Sequence, residues 1–142
     1  MAATLDQARP IAPHPLHLVL LAGMIPWFLG AALADWAYAV TYHVQWKNFA
    51  SWLIVGGLVF GGVVLVLALV DLLRARRRAG RDVIYVLLLL ATWVLAFFNA
   101  LVHAKDAWAA MPAGLVLSVV TLLAACVATW WGVSGFRTGV SR

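Results

Sequence analysis

Four apolar runs, each close to the length that crosses a bilayer, leave this chain few folds to choose from. They cover about residues 16–39, 49–73, 82–103 and 111–134. A hydrocarbon core about 30 Å thick needs roughly 20 consecutive apolar residues in a helix. Inside that core every backbone N–H and C=O needs a partner, and a helix supplies them all from within one segment. The sequence therefore predicts an all-α integral membrane protein, with residues 1–142 as a single four-span domain. Composition agrees: 65% of residues are hydrophobic and only 11% charged, where soluble domains carry about 25% charged residues. The short connections force successive spans to be antiparallel neighbours, which predicts an up-down antiparallel four-helix transmembrane bundle.

Orientation follows from charge. Arg74, Arg76, Arg77, Arg78 and Arg81 stand together between the second and third runs. Short loops rich in Lys and Arg stay in the cytoplasm. With that loop inside, both termini are inside as well. The inner side then holds eight basic residues, Arg9, the five loop arginines, Arg137 and Arg142, against only Lys47 and Lys105 outside. The expected location is the bacterial inner (plasma) membrane, multi-pass, with both termini cytoplasmic. The net charge of +5 is thus a topology device, and no nucleic-acid partner is expected. Interfacial aromatic residues fall where this topology needs them: Trp36, Tyr38, Tyr42, Trp46 and Trp52 outside, Tyr85, Trp130 and Trp131 inside. Arg9, the first apolar run and Ala32-Leu33-Ala34 also resemble a signal peptide with a cleavage site. The run is long enough to span, so it is expected to be retained.

Local signals refine the picture. Pro10, Pro13 and Pro15 keep the first helix from starting earlier, and Pro26 should kink it by depriving the Ala22 carbonyl of a donor. Residues 40–48 and 104–110 read as outer connections, and Pro112 suits the first turn of the fourth span. Gly57 and Gly61, four residues apart, let another helix approach closely and offer a face for homo-oligomer formation. Gly114, Ser118, Thr121 and Ala125 form a small, slightly polar stripe that should pack on a neighbour. The single cysteine, Cys126, reads as inert packing.

Few residues could carry chemistry. Asp35, Tyr38 and Tyr42 share a face of the first span. A carboxylate facing lipid is costly, so Asp35 is expected to face the bundle and accept hydrogen bonds from Trp46, Lys47 or Asn48. Thr92, Ala96, Asn99 and His103 follow helical spacing, and Asp106 is placed to orient the His103 imidazole. Asn99 must face inward for a partner. The candidate polar site is therefore Asp35, Tyr38, Tyr42, Asn99, His103 and Asp106. His43 and His103, at similar depth on different helices, meet the minimum for axial ligation of a b-type haem; His14 and His17 stand at the opposite end. No nucleophile stands beside a base, no phosphate-cradling loop occurs, and there is no Cys cluster for a metal. No catalytic residue, metal site or firm cofactor is expected. The absence of a chain of acidic residues along any span argues against a proton pump.

Several stretches are shared with one family. They are His14-Pro15, Asp35 with Tyr38 and Thr41, Trp46, Ser51-Trp52-Leu53 with Gly56 and Asp71, the run from Asn99 to Trp108, and Phe136-Arg137-Thr138-Gly139-Val140. On these the chain resembles the bacterial four-span membrane family catalogued as domain of unknown function 2231, over nearly its whole length. The family has no established activity. The joining of some relatives to Rieske-type or cytochrome c modules implies a redox association. Where many relatives carry histidines, this chain has Ile84-Tyr85 and Thr138, and the resemblance thus weakens a haem expectation. The leading expectation is a non-catalytic membrane subunit or scaffold, in contact with the lipid bilayer and a membrane or redox protein partner. A haem b electron-transfer subunit and a small-solute or proton pathway are the alternatives.

Overall fold

In a computed structural model of the protein, residues 15–75 and 80–140 are described, the last six as backbone only. The order is α1 (Pro15–Thr41), α2 (Val44–Arg74), α3 (Gly80–His103), the short α4 (Ala107–Ala110) and α5 (Ala113–Val140). The described residues contain no strand. Four helices are long and apolar enough to cross a membrane, the last over Ala113–Ser134. Arg9, His14, residues 76–79 and Arg142 lie outside the described residues, and with them most of the arginine loop.

The helix limits differ from the expected ones at the outer end. The connection read over residues 40–48 shrinks to Tyr42 and His43, because α2 begins at Val44. Gln45, Lys47 and Asn48 are polar, but nothing from Val44 to Asn48 is a Gly or Pro that would break a helix, so the helix extends beyond the apolar run. The break itself falls at Tyr42, which takes a left-handed φ of 58°. Its N–H reaches back to the Tyr38 carbonyl at 2.8 Å, the single bond of a left-handed helix cap. In the third connection, Asp106 caps α4 by accepting from the Ala107 N–H at 3.0 Å. The fourth span starts at Ala113, not residue 111. Pro112 stands just ahead of it, where a backbone N–H would have no intrahelical partner, and its carbonyl accepts from the Val116 N–H. Pro26 lies within an uninterrupted α1.

The long helices form a closed ring in which α1 and α3 each pack on both α2 and α5. Chain directions can be read from the residues that meet. Gly23 lies against Phe60 and Gly30 against Leu53, while Tyr85 lies against Gly132 and His103 against Gly114. In each pair of helices the numbers run in opposite senses. The core combines Leu21, Met24 and Phe28 of α1, Val64 and Ala68 of α2, Leu89 and Ala96 of α3, and Ala125 and Ala128 of α5. Gly57, expected to admit another helix, admits α1: a Cβ there would collide with the Phe28 ring, and Gly61 looks onto Met24. The face expected to serve a homo-oligomer is thus filled within the chain. No more than 33% of the most apolar window of any span is buried inside the protein. The remainder is half-buried or exposed, with Val59, Val66, Leu87 and Leu123 among the exposed residues. Such a continuous apolar exterior suits acyl chains and not water.

Candidate functional site

Near the end of the bundle that carries the α1–α2 turn, three helices contribute polar side chains to one buried cluster. Asp35 comes from the last two turns of α1, Asn99 and His103 from the last turns of α3, and Ser118 from the second turn of α5. Their relative exposures are 0%, 0%, 3% and 1%. Each follows from its helix. Asp35 continues the inward seam of Leu21 and Phe28 at seven-residue spacing, and Asn99 and His103 extend that of Thr92 and Ala96. Gly114 makes the room for His103, since a Cβ there would stand 2.9 Å from the imidazole Cε1.

The hydrogen bonds close into a ring that starts and ends on Asn99. His103 Nδ1 lies 2.9 Å from the backbone carbonyl of Asn99. A carbonyl only accepts, so Nδ1 carries a proton. His103 Nε2 lies 2.8 Å from Asp35 Oδ1. Asp35 Oδ2 accepts from the Ser118 hydroxyl at 2.5 Å, and Ser118 Oγ accepts in turn from Asn99 Nδ2 at 2.8 Å. With Nδ1 committed as a donor, the Nε2–Oδ1 contact is a hydrogen bond only if one more proton lies between those two atoms. The pair is then imidazolium with carboxylate or imidazole with carboxylic acid, and in both forms its net charge is zero. That neutrality is what makes a His–Asp pair tolerable away from water, where a lone charge would be expensive.

The ring is not a hydrolytic triad. In such a triad the serine gives its proton to histidine, which a carboxylate orients through the other nitrogen. Here Ser118 gives its proton to Asp35, and Asp35 occupies the nitrogen a serine would need.

Residues 13–140 match the protein family described as Predicted membrane protein (DUF2231). The chain belongs to that family. The match encloses every member of the ring. No curated protein and no solved structure matches the chain.

In this DUF2231 protein the structure unites three of the residues expected at a polar site, Asp35, Asn99 and His103, and adds Ser118. Asp35 faces the bundle as expected, but its partners come from α3 and α5 instead of Trp46, Lys47 or Asn48. Lys47 instead donates to the Lys105 carbonyl at 2.9 Å. Asp106 was expected to orient His103; it caps α4, and Asp35 takes that role. Tyr38 is buried beside the ring's helix seam, whereas Tyr42, beyond the helix end, is exposed and stacks on Trp108 at 5.9 Å. Ser118 was legible only as part of a packing stripe, since a serine among small residues on a span carries no separate signal.

The two histidines considered for haem are arranged differently from axial ligands. His43 is exposed at the start of α2. His103 has both ring nitrogens engaged, by Asn99 and Asp35, and an iron ligand needs one free. The pair as placed does not fit a haem. At the opposite end of the bundle, His17 Nε2 meets the Tyr85 hydroxyl at 2.9 Å, and Gly132 lies against that tyrosine ring. This contact joins α1 to α3 a second time.

Proposed function

We propose that this protein is a non-catalytic membrane subunit or scaffold, whose polar ring holds three of its four spans in one register. One observation carries the reading: Asp35, His103 and Ser118 spend their hydrogen-bonding groups on one another and on Asn99. Of the side-chain groups in the ring, only Asn99 Oδ1 is left without a partner, and it is buried. In a bilayer, helix packing has little hydrophobic drive, and interhelical hydrogen bonds serve as the joint. The proposed location is the bacterial inner membrane, with both termini and the arginine loop in the cytoplasm. The eight-to-two distribution of basic residues supports it.

The shared His103–Asp35 proton favours a second reading, in which the ring takes part in a proton pathway. The rest of the bundle speaks against a continuous route. Leu21, Met24, Phe28 and Leu89 fill the core between the ring and the His17–Tyr85 contact. The visible spectrum of protein purified from its native membrane, with a proton-flux assay in vesicles, tests the proposal. A subunit or scaffold shows no Soret band and no flux above empty vesicles. A Soret band lost in His103→Leu, or flux lost in Asp35→Asn, would overturn it.

A further inference from the structure

The proton arithmetic of the ring leaves one strong acceptor over. Ser118 has a single proton and gives it to Asp35. The Asn99 group facing Ser118 must therefore be the donating Nδ2, and Asn99 Oδ1 points elsewhere. That oxygen is buried and has no partner, and neither has the buried hydroxyl of Thr121. Thr121 lies one turn beyond Ser118 on α5, on the side of the ring towards Ala125 and Ala128. The register set by Asn99 with Ser118 and Tyr85 with Gly132 puts Ala96 of α3 opposite Thr121. The register set by Asp35 with Ser118 and Leu21 with Gly132 puts Ala32 of α1 there too. The Thr121 hydroxyl thus stands where both neighbouring helices present alanine, one turn from the level at which Asn99 meets Ser118. Leaving either unsatisfied in a dry interior costs free energy.

We infer that Asn99 Oδ1 and Thr121 Oγ1 hold an internal water site beneath the ring. The chemistry selects the guest. Asn99 Oδ1 only accepts, so its partner must donate, and the Thr121 hydroxyl can accept from or donate to the same molecule. Water meets both needs with no charge, and buried waters serve unsatisfied groups of this kind. The site goes beyond the scaffold reading and stands whatever the role of the ring.

Replacing the threonine decides the matter by sign. Valine has nearly the shape of threonine without the hydroxyl. If Thr121 holds the water, Thr121→Val strands Asn99 Oδ1 and lowers the melting temperature, while Thr121→Ser stays close to the parent. If the hydroxyl is simply unpaired, Thr121→Val removes a buried orphan and the melting temperature is unchanged or higher. Infrared difference spectra recorded on exchange into H218O supply a readout of the water itself. The parent and Thr121→Ser should show an isotope-sensitive O–H band that Thr121→Val lacks, with Thr121→Ala as substitute if the valine variant does not fold. Absence of the band in the parent, its persistence in the hydroxyl-free variant, or a melting temperature not lowered by the loss of the hydroxyl overturns the inference.

Discussion

His103 and Asp35, 68 residues apart, meet at 2.8 Å in the interior of the bundle through the one imidazole nitrogen that the Asn99 carbonyl leaves free. Their contact joins α1 to α3, which lie diagonally across the ring of helices. Ser118 brings in α5 through the other carboxylate oxygen. One carboxyl group thereby ties together three spans.

The shared proton implies a measurable coupling. Removing either His103 or Asp35 disturbs the same bond, so the two losses should not add. In a double-mutant cycle with His103→Leu and Asp35→Leu, the coupling should be about 0.5–2 kcal/mol, in the range of interhelical hydrogen bonds in membranes. Reversible unfolding in detergent measures it, and simple additivity would mean that the bond contributes nothing.

The glycines of α2 give a test of packing. Gly57→Ala drives a methyl into the Phe28 ring, whereas at Gly61 the nearest atom, Met24 Sδ, is 3.7 Å from the new Cβ. Gly57→Ala should cost roughly 1–3 kcal/mol, as overpacking does. Gly61→Ala should be tolerated or slightly stabilising, because alanine favours a helix by about 0.5–1 kcal/mol over glycine. Thermal unfolding of the two variants separates them, and equal effects would show that the α1–α2 interface is packed otherwise.

At the other end, Tyr85→Phe removes the hydroxyl that meets His17 and keeps the ring that packs on Gly132. The loss should be about 0.5–1.5 kcal/mol, the worth of an ordinary hydrogen bond. A much larger drop in unfolding free energy would make this contact, rather than the Asp35 cluster, the main polar joint.

Orientation can be checked without purification. Reporter fusions after Arg142 and within residues 76–80 should both read cytoplasmic, and a fusion near Lys47 should read on the other side. A C-terminus on the outer side would overturn the charge distribution as the guide to topology.

Much of this was legible in the sequence, for identifiable reasons. The four spans are written in hydropathy, which acts over about 20 residues and needs no tertiary knowledge. The outer limits were less legible: Val44 to Asn48 are polar enough to suggest a loop, yet nothing among them breaks a helix. That Asp35 turns inward follows from the cost of a carboxylate in lipid. Its partners did not follow, because adjacency in the chain points to α2. Trp27, Phe28 and Gly30 of α1 face Gly56, Gly57 and Leu53 of α2, while Asp35, two turns further on, meets α3 and α5. Ser118 is an ordinary small residue until the fold brings a carboxylate to it.

The central claim is that Asp35 sits in a closed, net-neutral ring with one proton shared with His103. Asn and Ala at position 35 test it together. In Asp35→Asn, the new amide can donate to His103 Nε2 and still accept from Ser118, so every bond of the ring has a counterpart. In Asp35→Ala, Nε2 and the Ser118 hydroxyl lose their partner, at about 1–3 kcal/mol for each stranded group. The measurement is the unfolding free energy of parent, Asp35→Asn and Asp35→Ala in the same detergent. A neutral ring predicts Asp35→Asn within about 1 kcal/mol of the parent and Asp35→Ala well below both. An asparagine variant as unstable as the alanine variant would contradict it, because a neutral amide would then have failed to replace the carboxyl group.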